Sequence, residues 1–590
     1  MSSQLKWFLV FVFTITIVTY FVIHDMPDRV DTIFINGRIH TMDSQMTVAE
    51  AFAVSGERVV GIGSHDFIAR KYLAKDTVNL NGKNIIPGLI DAHCHLLGLG
   101  LAQLTVDLVG VQSENEAVER VEKRVAQVFS GQWIRGRGWD QNEWSTKSFP
   151  NQGLLNRISN PVYLTRIDGH ACWVNEQAMR LAGVTKQTPD PVGGKIVRNT
   201  RGEPSGIFID AAMDLIYRIV PEPTEEEMRS AIKIAIQKCL SVGLTSIHEM
   251  GVDLTQVELY KKLIQENAFN FRLYASVDGP GELWEQSKKA GKIIGYGQNR
   301  LTIRSLKLYI DGALGSRGAA LIDPYSDEPT NRGLTVISEE NLQNIVDEAL
   351  ENDFQVCAHA IGDRANYIIL NAYQKAQEKN PKSDRRLRVE HAQVLSKDDI
   401  PRFHQLGVLP SMQPTHCTSD MYWAEARLGS QRIRGAYAWQ SLLKTGVIIP
   451  GGSDFPVEDP NPFLGIYAAC SRRDLQGRPS KESDIDEFFQ LSPDGTTDRN
   501  NLINGWYPSE CMTREEAVRC FTIWAAYAAF EEDIKGSLER GKLADFLVIT
   551  KDVFQCPIDE IPDIEVEHTY LGGKKVYTNP HFQQTMLSLK

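Results

Sequence analysis

From residue 31 to residue 84 the apolar positions come in short runs cut by turn residues. Thr32-Ile33-Phe34-Ile35-Asn36-Gly37, Ala51-Phe52-Ala53-Val54-Ser55-Gly56 and Arg58-Val59-Val60-Gly61-Ile62-Gly63 each read as a strand closed by a turn. The pattern returns near the other end, in Gly541-Lys542-Leu543-Ala544-Asp545-Phe546-Leu547-Val548-Ile549 and His568-Thr569-Tyr570-Leu571-Gly572-Gly573-Lys574-Lys575-Val576-Tyr577. Two β segments bracketing a long middle predict one composite β-sandwich, made of residues 30–86 and 532–590. Between them strand-like and helix-like stretches alternate. Predicted strands end at Glu249, Val277, Asp311, His359, His391, Met412 and Asp454, with amphipathic stretches such as 225–241, 339–352 and 365–379 between several of them. The run Ile85-Ile86-Pro87-Gly88-Leu89-Ile90-Asp91-Ala92-His93-Cys94-His95 supplies one more strand at the start. The fold class is therefore α/β, a (β/α)₈ TIM-type barrel over residues 87–531. A doubly wound open sheet is the alternative, but no Gly-rich phosphate turn follows any early strand.

Two stretches stand outside that alternation. Residues 107–240, between the first two barrel strands, far exceed a normal connection and predict an insertion over the active-site face. At the N-terminus, residues 7–23 are uncharged and largely apolar, near the lower limit for crossing a bilayer. The following His24-Asp25-Met26-Pro27-Asp28 offers no small-residue cleavage site, which favours a transmembrane helix, with residues 1–29 as a membrane anchor, over a cleaved signal. Lys6 before the run, with Asp25 and Asp28 outweighing Arg29 after it, predicts a single-pass protein whose body is lumenal or extracellular.

A formal net charge of -12 leaves no basic surplus to neutralise phosphates, so nucleic acid is excluded as the main partner. Nine cysteines without a C-x-x-C pair form neither a disulfide framework nor a zinc ribbon.

Candidate chemistry lies at the predicted strand ends. His93 and His95 project to one side of an extended chain, with Cys94 pointing away, so both imidazoles could hold one divalent metal. An isolated H-x-H pair is equally compatible with polar residues in a loop. Lys307 sits between apolar neighbours in Ile303-Arg304-Ser305-Leu306-Lys307-Leu308-Tyr309. A buried lysine must lose its charge or find a partner. It can do so by reacting with CO₂ to form an anionic carbamate, or it can snorkel to water. His359 and His391 fit core histidines as well as ligands, and Asp454 fits a turn cap. Their co-occurrence at the ends of alternating strands, where a barrel gathers side chains, favours a single site.

These residues resemble the amidohydrolase superfamily, and more narrowly its third group, the YtcJ-like metal-dependent hydrolases. The resemblance rests on Pro87-Gly88-Leu89-Ile90-Asp91-Ala92-His93-Cys94-His95, Trp139-Asp140, Asp168-Gly169-His170, Thr188-Pro189-Asp190-Pro191, Lys307 to Asp311 with Gly312-Ala313-Leu314-Gly315-Ser316-Arg317, His359 to Asp363, Glu390-His391, Gly452-Ser453-Asp454 and Lys535 to Asp545. It runs in order over roughly residues 30 to 580. It implies a metal-bearing barrel flanked by a composite β-sandwich and hydrolysis of a carbon–nitrogen bond. His93, His95, His359 and His391 would ligate one or two divalent ions, zinc or a similar metal, with Asp454 in the same set and a carbamylated Lys307 as the bridge in a two-ion site. Asp210 stands where the family pattern leads one to expect glutamate.

On that reading Asp454 is the proton shuttle and Lys307 the other catalytic residue. His170, Asp140, Trp139 and Trp173 are the expected contacts to a small-molecule substrate, with Trp144 beside them. A superfamily deaminase is the nearest rival, but it should carry a glutamate three residues after His359, where this chain has Gly362. A catalytically silent, membrane-tethered binding protein on the same fold is the rival from another class.

Overall fold

The structure is a computed structural model that describes residues 27–582 apart from 127, 192, 383 and 503, together with Trp7. Apart from Trp7, the apolar run at 7–23 lies outside the described residues. Among the described residues no helix is long and apolar enough to cross a membrane.

The centre is a parallel sheet of seven regular strands: β1 Leu89–Cys94, β2 Leu244–Val252, β3 Arg272–Asp278, β4 Leu301–Tyr309, β5 Gln355–Ala360, β6 Arg388–His391 and β7 Leu409–Ser411. Each pairs in parallel with its predecessor in the chain. The eighth position is filled differently. Residues 450–454 do not form a regular strand, yet their backbone bonds to both neighbours. Met412 N donates to Pro450 O at 3.0 Å and Gly452 N to Met412 O at 3.1 Å. On the other side Ala92 N donates to Gly451 O at 2.9 Å and Asp454 N to His93 O at 2.8 Å. These bonds close the TIM-type barrel. A Cβ on Gly452 would lie 2.6 Å from His93 N, so only glycine lets the segment come this close.

Asp91 pins the closure. Its Oδ1 accepts from His93 N at 3.0 Å, and its Oδ2 accepts from Ser453 N at 3.0 Å and Ser453 Oγ at 2.6 Å. The barrel interior is polar: Tyr274 Oη donates to Gln355 Oε1 at 2.5 Å, and the Ser276 and Ser305 hydroxyls lie 2.6 Å apart. The helices outside are built from local signals. Glu225–Ser241 opens on a capping box between Thr224 and Glu227, and Glu339–Glu351 opens on Ser338, whose side chain accepts from Asn341 N. Asp363–Lys379 buries Ile369, Leu370 and Tyr373.

The opening apolar run serves two sheets rather than one strand. Asn84–Pro87 pairs with Phe546–Ile549 and with Arg38–His40, in a six-stranded sheet completed by Val48–Ala49, Val566–Leu571 and Lys574–Thr578. Leu89–Cys94 belongs to the barrel. The switch falls at Gly88, where an added Cβ would stand 2.2 Å from Thr245 Oγ1. A four-stranded sheet of Asp28–Ile35, Ala51–Ser55, Arg58–Gly63 and Tyr72–Asn79 shares an aromatic core with that sheet, in which Phe34 stacks on Phe52 and Phe546 on Tyr570. The segment after residue 532 also enters the barrel, where Lys535 Nζ donates to Ser246 Oγ at 2.6 Å. The insertion carries its own six-stranded sheet, from Val106–Asp107 at one edge to Gly194–Arg198 at the other.

Asp91→Asn is expected to lower stability by about 1–3 kcal/mol, because its amide NH₂ would face a backbone N–H that now has a carboxylate oxygen. Denaturant unfolding of the variant beside the wild type measures this, and an unchanged midpoint would show that Asp91 does not hold the closure.

Candidate metal centre

The imidazoles and the carboxylate collect at the C-terminal ends of the barrel strands, each placed by a different local device. His93 is the penultimate residue of β1. His95 lies just beyond, at the start of the helix Leu96–Leu104, and makes no capping bond with its side chain. Glu249 of β2 supplies the cap instead, accepting from Leu96 N at 2.5 Å, which leaves the His95 ring free. His359 lies in β5. His391 ends β6 with φ of 73°, and Asp454 has φ of 59°. Left-handed backbone is uncommon for such residues and recurs at functional sites.

The rings of His93 and His391 have centroids 4.7 Å apart, and those of His359 and His391 lie 4.6 Å apart. Asp454 Oδ1 is 3.1 Å from His95 Nε2 and 3.6 Å from His93 Nε2. Ligand atoms of His93, His391 and Asp454 all fall within 4.8 Å of one another. Among the described residues this buried trio is the compact ligand set. His95 touches it through Asp454 and His359 through His391. Lys307 is buried below, its Nζ 5.1 Å from the Tyr309 ring centroid.

The electrostatics suit metal ligands. Burial, aided by the Lys307 charge, pushes His93 down to about 4. Burial also holds His359 and His391 well below the usual histidine range. All three are thus neutral imidazoles at pH 7, the form that ligates. Burial alone would raise Asp454, but His93 and His95 overrule it and keep the carboxylate well below its ordinary value. Burial disfavours the ammonium of Lys307 and lowers its pKa. Nε2 of His359 and of His416 are buried without a hydrogen-bond partner. Neutral nitrogens and an ionised carboxylate converging in a buried site fit a divalent cation.

Several neighbours had no role assigned from the sequence, Glu390 having entered only as part of the Glu390-His391 motif. Glu390 Oε2 lies 2.6 Å from His93 Nδ1, and Arg388 Nε lies 2.7 Å from Glu390 Oε1. Gln413 Oε1 lies 2.8 Å from His391 Nδ1. His416 stacks on His391, with its Nε2 3.9 Å from Asp454 Oδ2. The signal for the first pair was two charges at alternate positions of an otherwise apolar strand, Leu387-Arg388-Val389-Glu390. No comparable pattern marks His416.

The insertion corrects the expected substrate wall. Trp139 and Trp173 are fully buried in the insertion's own core with Trp144. Their indole N–H groups donate to Leu164 O, Asn151 O and Val111 O respectively. Sealed rings with satisfied N–H groups hold the insertion together and present no face to a ligand. Asp140 is committed to Arg166 at 2.5 Å and caps residues 141–143. His170 is half-buried and pairs with Asp210 Oδ1 at 2.9 Å. With Tyr163, Thr165 and Tyr217 the pair lines a cavity of about 440 Å³. Arg137 ties the insertion to the barrel rim: it donates to Ile167 O at 2.7 Å and to Pro456 O, two residues beyond Asp454, at 2.6 Å.

A closed parallel barrel with imidazoles and a carboxylate gathered at its C-terminal strand ends fits a metal-dependent hydrolase. The model of the amidohydrolase family matches residues 76–577, and the chain belongs to that family. The protein YtcJ of Bacillus subtilis (strain 168) is 32% identical over 554 residues, covering 92% of this chain and 98% of that protein. An N-substituted formamide deformylase of Arthrobacter pascens is 27% identical over 567 residues, 93% of this chain and 98% of that enzyme. Among solved structures, an uncharacterized metal-dependent hydrolase from Pyrococcus horikoshii OT3 aligns with a TM-score of 0.72 at 26% identity, over 89% of this chain and 99% of that one.

The hydrogen bond that His170 donates to Asp210, opposed in part by burial, raises His170 above the ordinary histidine value of about 6.5. The imidazolium is the favoured form in the fold, so the pair's contribution to stability is complete below about 6.5 and is lost as pH rises through the higher folded value. Asp210→Asn is expected to return the His170 midpoint towards 6.5, read by NMR titration of the ring protons.

Proposed function

We propose that this hydrolase cleaves carbon–nitrogen bonds other than peptide bonds, in a small substrate of the amide, N-acyl or N-formyl amine type. The carrying observation is the convergence of His93, His391 and Asp454, with ligand atoms within 4.8 Å, at the rim of the barrel. The Arthrobacter pascens relative, whose name assigns it to N-substituted formamides, supports the bond type. His93, His95, His359 and His391 are the proposed nitrogen ligands, with Asp454 the carboxylate and zinc the ion. A divalent ion held there supplies Lewis acidity, lowering the pKa of water towards about 7 and polarising a carbonyl.

The chain's own residues do the rest. Asp454, ionised and within reach of His95, accepts the proton of the attacking water and returns it to the departing amine nitrogen. Lys307 is the position that would serve a second ion: burial lowers its pKa, which makes the amine more available to add CO₂ with release of a proton, and the resulting carbamate would offer anionic oxygen ligands. Arg137 holds the insertion against the segment that carries Asp454, which supports a role for the insertion in covering the substrate. The deaminase alternative requires a glutamate at position 362. A Cβ there would stand 2.0 Å from Ala320 O, so no side chain fits.

Removing zinc with a chelator should abolish turnover across a panel of N-formyl amines, N-acyl amides and cyclic amides, and adding zinc should restore it. A zinc-loaded protein inert on the whole panel would overturn the bond assignment, and a protein unable to bind zinc would favour the silent binding protein. Asp454→Asn should lower kcat by ~10²–10⁴-fold, the range of a lost general acid–base, even in protein loaded with zinc to the wild-type content as read by elemental analysis.

A further inference from the structure

We propose that Glu390 selects the nitrogen that His93 presents to the metal, and that Arg388 keeps Glu390 able to do so; this rests on the metal-centre reading above. Both residues are fully buried. Every contact recorded for the Glu390 carboxylate comes from a group able to donate. Arg388 Nε lies 2.7 Å from Oε1 as an ion pair whose geometry makes no hydrogen bond, Arg388 Nη2 donates to Oε2 at 3.0 Å, and His93 Nδ1 lies 2.6 Å from Oε2. Arginine has no acceptor, and an ionised carboxylate has no donor. The hydrogen between His93 and Glu390 therefore sits on Nδ1, and Nε2 carries the lone pair. That lone pair faces Asp454 Oδ1 at 3.6 Å, two acceptors with a cation's place between them.

Arg388 is spread over three further partners in the barrel. Nη1 donates to His248 Nδ1 at 2.9 Å, and Nη2 donates to Ala92 O at 2.6 Å and Ser411 Oγ at 3.0 Å. It thereby joins β1, β2, β6 and β7 around the carboxylate that orients His93. Only an acceptor-only group satisfies Arg388 and His93 together. In Glu390→Gln one corner becomes an NH₂. Turned towards Oε1 it would stand 2.7 Å from Arg388 Nε, two donors with no acceptor between them. Turned towards Oε2 it meets Arg388 Nη2–H and forces His93 Nδ1 to accept, so that Nε2–H points at the metal. Glu390 is thus a positioning residue.

The test uses the full chain and zinc or cobalt alone. Glu390→Gln should bind zinc ~10–100-fold more weakly in chelator competition, the usual cost of losing such a partner. It should also change the visible absorption of the cobalt form. Glu390→Asp, which remains acceptor-only, should lose less affinity than Glu390→Gln. Wild-type affinity and spectrum in a folded Glu390→Gln would overturn the proposal, as would equal losses in the two variants. In metal-free wild type, ring ¹⁵N labelling of histidine, assigned with His93→Gln, reads the tautomer without depending on a variant's folding. A protonated Nδ1 with bare Nε2 is expected, and a protonated Nε2 overturns the proposal. A wild type that binds neither metal would instead overturn the metal-centre reading.

Discussion

The candidate site depends on how the barrel closes. A regular eighth strand would carry its side chains past the rim, whereas residues 450–454 bond to Met412 and to β1 and then turn, so that Asp454 comes back over His93. The closure has few ladder bonds of its own. Asp91 compensates by gathering three donors from the two sides, and Gly452 lets the backbones approach. The distance from Asp454 to His93 and His95 is therefore set by a buried carboxylate rather than by sheet geometry.

Beneath that seam the barrel interior is polar where many barrels are filled with branched apolar side chains. Burying Arg388 and Glu390 costs several kcal/mol per ion after relaxation, and such a pair is tolerated only with well-placed additional hydrogen bonds. Arg388 has them, on His248, Ala92 and Ser411. The arrangement adds little net stability. As proposed, its consequence is specificity of geometry: the ionised Glu390 carboxylate holds the imidazole of His93 in one orientation and one tautomer.

The insertion obeys a different logic. Its tryptophans supply the apolar area that an independent six-stranded sheet needs, and each indole N–H is satisfied inside. What reaches the barrel rim is polar: Arg137, which donates to Pro456 O there and to Ile167 O within the insertion. A motif rich in tryptophan beside a functional region need not be the part that meets the ligand.

The alternation of strands and helices is legible in the residue pattern, because burial of one face imposes a period that local positions carry. The sequence also placed His93, His95, His359, His391, Lys307 and Asp454 at strand ends and matched the family's motifs. It could not show that residues 85–95 divide between two sheets, since an apolar run looks the same whichever sheet receives it. Nor could it show that Trp139 and Trp173 are sealed, since aromatic side chains serve cores and pockets alike. Which ligands share a centre, and that Glu390, Arg388 and His416 stand beside it, emerges from the folded arrangement alone. Those contacts join residues far apart in the chain, and their distances depend on barrel closure, which no local pattern encodes.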